Sequence, residues 1–196
     1  MRLLRNCIGM WLLSECRRMW AEEGHEYDYA TLTQIAEEAE PFTSLINPED
    51  ERFFKPDNMP SAIAGFCRKT NQPEPTTHGP TVRCVLESLA LLYAQRLEEA
   101  EELTGQPIKR LHIVGGGSRN ALLNQFTANA CRMEVIAGPT EATALGNVLV
   151  QAITLGDLPD LASARQVVRQ SMDVESFQPE DSASWNGAKT RFKELT

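Results

Sequence analysis

Leu111-His112-Ile113-Val114-Gly115-Gly116-Gly117-Ser118-Arg119-Asn120 is the stretch whose reading decides the fold of this chain. Its apolar, β-branched opening predicts a strand over 109–114. The strand empties into three glycines, and an amphipathic helix over 119–131 starts at once. Glycines let a backbone approach a ligand where a Cβ would collide. The helix start adds free N–H groups and the positive end of a dipole. Strand, glycine turn and helix N-terminus together form a common receptor for a phosphate group, such as that of a nucleotide. The glycines alone are equally compatible with a tight turn that binds nothing.

Downstream, 134–137 reads as a second strand, Gly138-Pro139 as a turn, and 141–155 as a helix. Strand alternating with helix is an α/β signature. Ligands of such sheets sit at the carboxyl ends of the strands, where both turns fall. Further along, 163–171 is helical, and an amphipathic tail over 179–195 docks through Trp185, Phe192 and Leu195. Upstream, 2–8 reads as a strand and 10–23 as a helix stopped by Gly24. Asp28 caps a helix through Ala39. The stretch 41–60 is irregular, with Phe42, Phe53, Phe54 and Met59 packing it onto the body. A short helix follows over 61–69. Pro80 opens the longest helix, ending near Thr104 before Gly105. Its apolar stripe is Val82, Val85, Leu86, Leu89, Leu92 and Leu103, and Glu98, Glu99, Glu101 and Glu102 form a solvated face.

The 196 residues suit one domain over 1–196. Apolar residues make up 42% of the chain, with no run long enough for a membrane span and no signal-peptide pattern. A net charge of -8 argues against sequence-independent nucleic-acid binding but allows a locally positive nucleotide site. The five cysteines form no CxxC, and the three histidines lack metal-ligand spacing, so no metal site is expected. Reduced thiols and a cytoplasmic location are the default. Cys67 and Cys84 flank a Pro-, Thr- and Gly-containing loop that a disulfide would close.

Two familiar nucleotide motifs fit badly. No Gly-Lys-Ser/Thr follows the glycines, so this is not a Walker A loop. Gly115 and Gly117 match the first two glycines of a dinucleotide fingerprint, and Glu134 lies near the position of its ribose acid, but Asn120 replaces the third glycine. A dinucleotide oxidoreductase remains a competing reading. In the second turn segment, small residues Ala142, Ala144 and Gly146 allow a close approach to another backbone or to a flat ring.

The glycine segment followed by Gly138-Pro139-Thr140-Glu141-Ala142-Thr143-Ala144-Leu145-Gly146 resembles the carboxy-terminal domain of the FGGY carbohydrate kinases. Asn6 with Gly9-Met10-Trp11-Leu12-Leu13, Phe54 to Pro60, Glu87 to Tyr93 and Asn124-Gln125 extend the likeness along most of the chain. The resemblance implies an RNase H-like, actin-like ATPase fold, with ATP in the cleft between two α/β domains. Such enzymes use Mg²⁺ and pass the γ-phosphoryl of ATP to a sugar hydroxyl. The Trp11 and Phe54–Pro60 stretches point to the branch acting on L-rhamnulose, with xylulose or glycerol as alternatives within the family.

By the same resemblance, Gly115, Gly116 and Gly117 approach ATP or ADP, and Ser118 and Asn120 cap the helix and touch phosphate or ribose. Glu141, Ala142 and Ala144 would wall the adenine, and Asn6 would help hold the sugar. Ser14 stands where the family has a nucleotide-contacting Gln, which weakens its claim. Relatives carry cysteines at the spacing of Cys67 and Cys84, favouring a bridge. The catalytic Asp precedes the matched region, so no catalytic residue is expected here, and Mg²⁺ would be held mainly through the nucleotide and a missing amino-terminal domain. The sheet would be incomplete at its N-terminal edge, inviting self-association. A non-catalytic actin-like nucleotide-binding module is the alternative of a different class.

Overall fold

The computed structural model describes residues 4–196. Among these, four helices come first: α1 (Trp11–Glu22), α2 (Tyr29–Glu37), α3 (Met59–Lys69) and α4 (His78–Thr104). Strand β1 (Leu111–Ile113), helix α5 (Ala121–Cys131) and strand β2 (Val135–Ala137) follow. Then come α6 (Ala142–Leu155), α7 (Leu161–Ser171), β3 (Glu175–Phe177) and α8 (Ser182–Lys193). Helix α4 is the axis of the core. From Gly79 to Ala94 it is buried on nearly every side, as a helix enclosed by others must be. Its apolar stripe stops at Ala94. Leu103, placed on that stripe by periodicity, is 72% exposed because α4 runs out of the core before its last turn.

Helices α2 and α4 approach so closely that a Cβ on Gly79 would lie 2.5 Å from the Ile35 carbonyl oxygen. The junction is held by a buried ion pair. Arg83 Nε donates to Glu87 Oε1 at 2.7 Å, and its Nη1 donates to the carbonyls of Ala36, Glu37 and Ala39. Those carbonyls, left open where α2 ends, need donors. Glu87 is 1% exposed, and its second oxygen accepts the Phe42 N–H at 2.9 Å. Burial pushes the Glu87 carboxyl up, and Arg83 and the Phe42 N–H oppose that shift.

The irregular stretch 41–60 packs as its aromatic residues suggest. Ser88 Oγ accepts the Ile46 N–H, and the Gln72 amide pairs with both backbone groups of Leu45. Phe53 and Met59 are buried, but Phe54 is 60% exposed. Neighbouring residues on the tight Glu51–Phe53 turn cannot both point inward. The acidic end of α4 is not merely solvated. Glu98 pairs with Lys189 and Lys193, Glu99 with Arg5 and Arg96, and Glu101 accepts the Ile108 N–H. The tail docks through Trp185 and Phe192, with the Trp185 ring edge-on to Phe42.

The sheet has the order β1-β2-β3, with β1–β2 parallel and β2–β3 antiparallel. Leu111 faces Val135 and Ile113 faces Ala137 in register. Strand β3, too short to show alternation, was not legible in sequence. Glu134 is tied to Arg110, Ser176 and Gln178 at the strand ends, so its carboxylate serves the sheet and not a ribose. The strand expected over 2–8 is not found in its described part. Residues 4–8 join no ladder, and residues 1–3 lie outside the described ones. Among the described residues one edge of β1 therefore has no partner.

The small residues of α6 allow a close approach to a backbone or a flat ring, and no backbone of the described residues takes it: a Cβ on Gly146 would meet nothing within 4 Å, and no residue of α6 is buried. Val148, Val150 and Leu155 stand exposed. The two cysteines that a disulfide would join do meet in the fold. Cys67 and Cys84 are free thiols, brought side by side by α3 and α4. Both are buried in the core. Contact with Cys67, followed by burial, pushes the Cys84 thiol up.

Candidate nucleotide site

The two turns at the strand ends are stitched together. The Gly138 N–H donates to the Ile113 carbonyl at 2.8 Å, and the Gly115 N–H donates to the Pro139 carbonyl at 3.2 Å. Gly115 has φ +81° and ψ -165°, a region that only glycine enters without strain. The chain then makes a 3-10 turn over Gly116–Arg119. The Ser118 N–H and hydroxyl both donate back to the Gly115 carbonyl, at 3.1 and 2.7 Å. Asn120 caps α5 by accepting the Leu123 N–H at 2.8 Å. Beneath the turn, the buried Asn124 donates to the Ser118 carbonyl at 2.8 Å.

What remains free matters most. The backbone N–H groups of Gly116 and Gly117 make no hydrogen bond among the described residues. A Cβ on either would meet nothing within 4 Å. Neither glycine has the positive φ that makes Gly115 obligatory. The fold therefore gives no reason of its own for glycine at 116 or 117. Free backbone donors on side-chain-free residues at a strand-to-helix turn suit an anion receptor. Arg119, the last residue of the turn, has no ion-pair partner among the described residues.

Gly116, Gly117 and Arg119 line a cavity of about 670 Å³, within the usual size range of small-molecule sites. One wall is Gly116, Gly117, Arg119 and Asn120. Met10 with Tyr29, Ala30 and Thr33 of α2 completes the lining. The Arg17 guanidinium lies 5.1 Å from the centroid of the Tyr29 ring, and Arg17 is itself held by the Tyr27 carbonyl at 2.6 Å. The Asn120 side-chain oxygen is occupied by its cap.

The family model for the FGGY family of carbohydrate kinases, C-terminal domain, matches residues 1–155. The chain belongs to this family. A rhamnulokinase of Bacteroides thetaiotaomicron is 50% identical over 192 residues, covering 98% of this chain and 39% of that protein. A rhamnulokinase of Bacillus subtilis is 42% identical over 180 residues, covering 92% and 36%. The chain thus spans less than two-fifths of the length of these relatives. Among solved structures, xylulose kinase from Rhodospirillum rubrum superposes with a TM-score of 0.64 at 20% identity, over 94% of this chain and 36% of that one. Plasmodium falciparum glycerol kinase with ADP gives 0.63 at 16% identity, over 90% and 35%. These likenesses show the fold: the actin-like α/β ATPase fold, here with a small three-stranded sheet.

In this FGGY chain the residues singled out by sequence separate into groups. Gly116, Gly117 and Asn120 line the cavity, while Gly115 and Ser118 build the turn behind it. Glu141, Ala142 and Ala144 follow the Pro139 turn at the start of α6 and do not line the cavity. Ser14 faces a neighbouring hollow of about 520 Å³ with Arg17, Arg18 and Tyr27. Asn6 is exposed and lies away from the cavity. Sequence reading missed Met10, Tyr29, Ala30, Thr33 and Arg119. Arg119 stood inside the motif and had only to be asked for its partner, but α2 reaches the site through tertiary packing alone.

The cavity wall fits a phosphorylated ligand and does not fit a bare cation. No carboxylate lines it. Among the described residues, no group of three or more His, Cys, Asp or Glu is placed to hold a metal. No helix among them is long and apolar enough to cross a membrane.

Proposed function

We propose that this chain is the nucleotide-holding carboxy-terminal part of a cytoplasmic ATP-dependent kinase that converts L-rhamnulose to L-rhamnulose 1-phosphate. The observation carrying the nucleotide half is the pair of free N–H groups at Gly116 and Gly117, residues that line a cavity together with Arg119. The choice of sugar is supported by the rhamnulokinases that match nearly the whole chain. Free thiols throughout suit a reducing compartment.

Phosphoryl transfer is mainly positioning and charge neutralisation. The sugar hydroxyl oxygen bonds to the γ-phosphorus as the bond to the ADP oxygen breaks, and the hydroxyl proton passes to a base. Mg²⁺ would be held mainly through the nucleotide and the amino-terminal domain, and would there offset phosphate charge. This chain's share is to hold ADP through the 116–120 turn. Its acids are engaged or remote. Glu87 is locked to Arg83, Glu15 pairs with Arg18 at 3.0 Å, and Glu141 lies outside the cavity.

Calorimetric titration and a coupled ADP-release assay test this reading. Saturable one-to-one binding of ADP is expected, without turnover when L-rhamnulose and ATP are added. Tighter binding of NAD than of ADP would overturn the nucleotide assignment. Sugar-dependent ADP release would overturn the placement of the base elsewhere.

The open edge of β1 and the bare apolar face of α6 support a second element of the proposal. The remaining part of the enzyme covers them, and in its absence copies of this chain associate there. Light scattering should show more than a monomer at tens of micromolar, and Leu155→Glu should shift the population towards monomer. A parent chain that is already a clean monomer sinks this element.

A further inference from the structure

A turn that binds through its backbone is only as well placed as the carbonyls that anchor it. The Gly115 carbonyl accepts twice, from the Ser118 N–H and the Ser118 hydroxyl, and the Gly117 carbonyl accepts the Asn120 N–H at 3.3 Å. Both ties are local to the turn. The Ser118 carbonyl is different. Among the described residues no backbone N–H outside the turn reaches it, and its donor is the side-chain amide of Asn124, one turn into α5, at 2.8 Å. Asn124 is fully buried and does not line the cavity. Its amide oxygen, also buried, has no hydrogen-bond partner among the described residues. Turning the amide round does not repair this, because a carbonyl accepts only from the nitrogen. A half-satisfied buried amide is a poor choice for stability, which an apolar side chain would serve better. Its one satisfied side-chain atom is the one that holds the turn.

We propose that Asn124 is a positioning residue for the glycine turn: its buried amide holds the Ser118 carbonyl, and with it the backbone of 116–118, in the arrangement that keeps two N–H groups free for a phosphorylated ligand. The proposal rests on the nucleotide reading above and adds a residue that touches no ligand. Its physical basis is preorganisation, since a turn already held in place loses less freedom when a ligand binds. Helix α5 is a firm anchor. Asn120 caps it with its side chain on the Leu123 N–H, and the Asn120 carbonyl accepts the Asn124 N–H at 3.0 Å. The same helix supplies a matched comparison. Thr127 is equally buried, and its hydroxyl donates to the Leu123 carbonyl at 2.6 Å, a bond inside α5 that does not tie the turn.

The experiment uses the full 196-residue chain, titrated with ADP by calorimetry well below the melting midpoint of each variant. Asn124→Ala should raise the dissociation constant for ADP about tenfold, the worth of about one hydrogen bond. Asn124→Leu, which fills the space without a donor, should do the same and guards against an effect of the emptied volume. Thr127→Val should lower the melting midpoint, as loss of a buried hydrogen bond does, and leave ADP affinity as in the parent. Amide hydrogen exchange read by NMR gives a measure that needs no ligand. The Ser118 and Asn120 N–H groups, bonded within the turn, should exchange about tenfold faster in Asn124→Ala and Asn124→Leu, and at the parent rate in Thr127→Val. The role of Asn124 is overturned if both of its variants bind ADP as the parent does, if their turn amides exchange at the parent rate, or if Thr127→Val weakens ADP equally. In those cases ADP binding by the parent leaves the nucleotide reading standing. A parent that does not bind ADP removes both.

Discussion

Replacing Gly116 with valine is expected to raise the dissociation constant for ADP about a hundredfold while changing folding stability by less than about 1 kcal/mol. The two effects separate because of where the missing Cβ would go. At Gly116 it would enter open space, with no protein atom within 4 Å and no positive φ to strain. The folded chain therefore has no reason to object. A bound phosphate does, because two branched methyl groups would stand between it and the free N–H groups of the turn. Each hydrogen bond to a charged group contributes about 1.5–3 kcal/mol, and losing one or two reaches a hundredfold. Gly116→Ala should give a smaller loss in the same direction. Gly115→Ala is the instructive contrast. Its φ of +81° makes an added Cβ costly to the fold itself, so its thermal midpoint should fall as well. Calorimetry for binding and circular dichroism for melting separate these outcomes. ADP affinity unchanged in Gly116→Val would mean that the ligand, if any, sits elsewhere.

Truncating Arg83 to alanine should cost the protein about 3–5 kcal/mol, or roughly 10 °C in the melting midpoint. The loss has two parts. The Arg83 guanidinium donates to three carbonyls at the end of α2, and these would lose their donors inside the fold. More seriously, Glu87 would be left 1% exposed without its counter-charge. Its carboxyl, already pushed up by burial, would then take a proton at a higher pH still. Stability of the variant should therefore fall further as pH rises, since the unfolded chain ionises Glu87 freely and the folded one resists. The double variant Arg83→Met/Glu87→Leu should recover much of the loss, because a buried pair replaced by apolar groups of similar size is often nearly neutral. Chemical denaturation at two pH values reads both effects. A single variant as stable as the parent would show that α2 docks without this pair.

Sequence by itself settled the local grammar of the chain. The Asp28 and Asn120 caps, the Gly24 and Gly105 stops, the long α4 and the strand–glycine–helix order are all written in neighbouring residues, because capping and turn geometry act over three or four positions. The same short range named Gly116, Gly117 and Asn120, which line the cavity from within one turn of chain. Tertiary structure alone decided the rest. It showed that α2 lines the cavity, that Ser14 and Asn6 do not, and that Glu87 is a buried partner of Arg83. It also placed β3, and it left the small residues of α6 facing open space. Each of these depends on which distant surfaces meet. That outcome is fixed by packing and desolvation summed over the whole core, and no spacing within a single segment carries it.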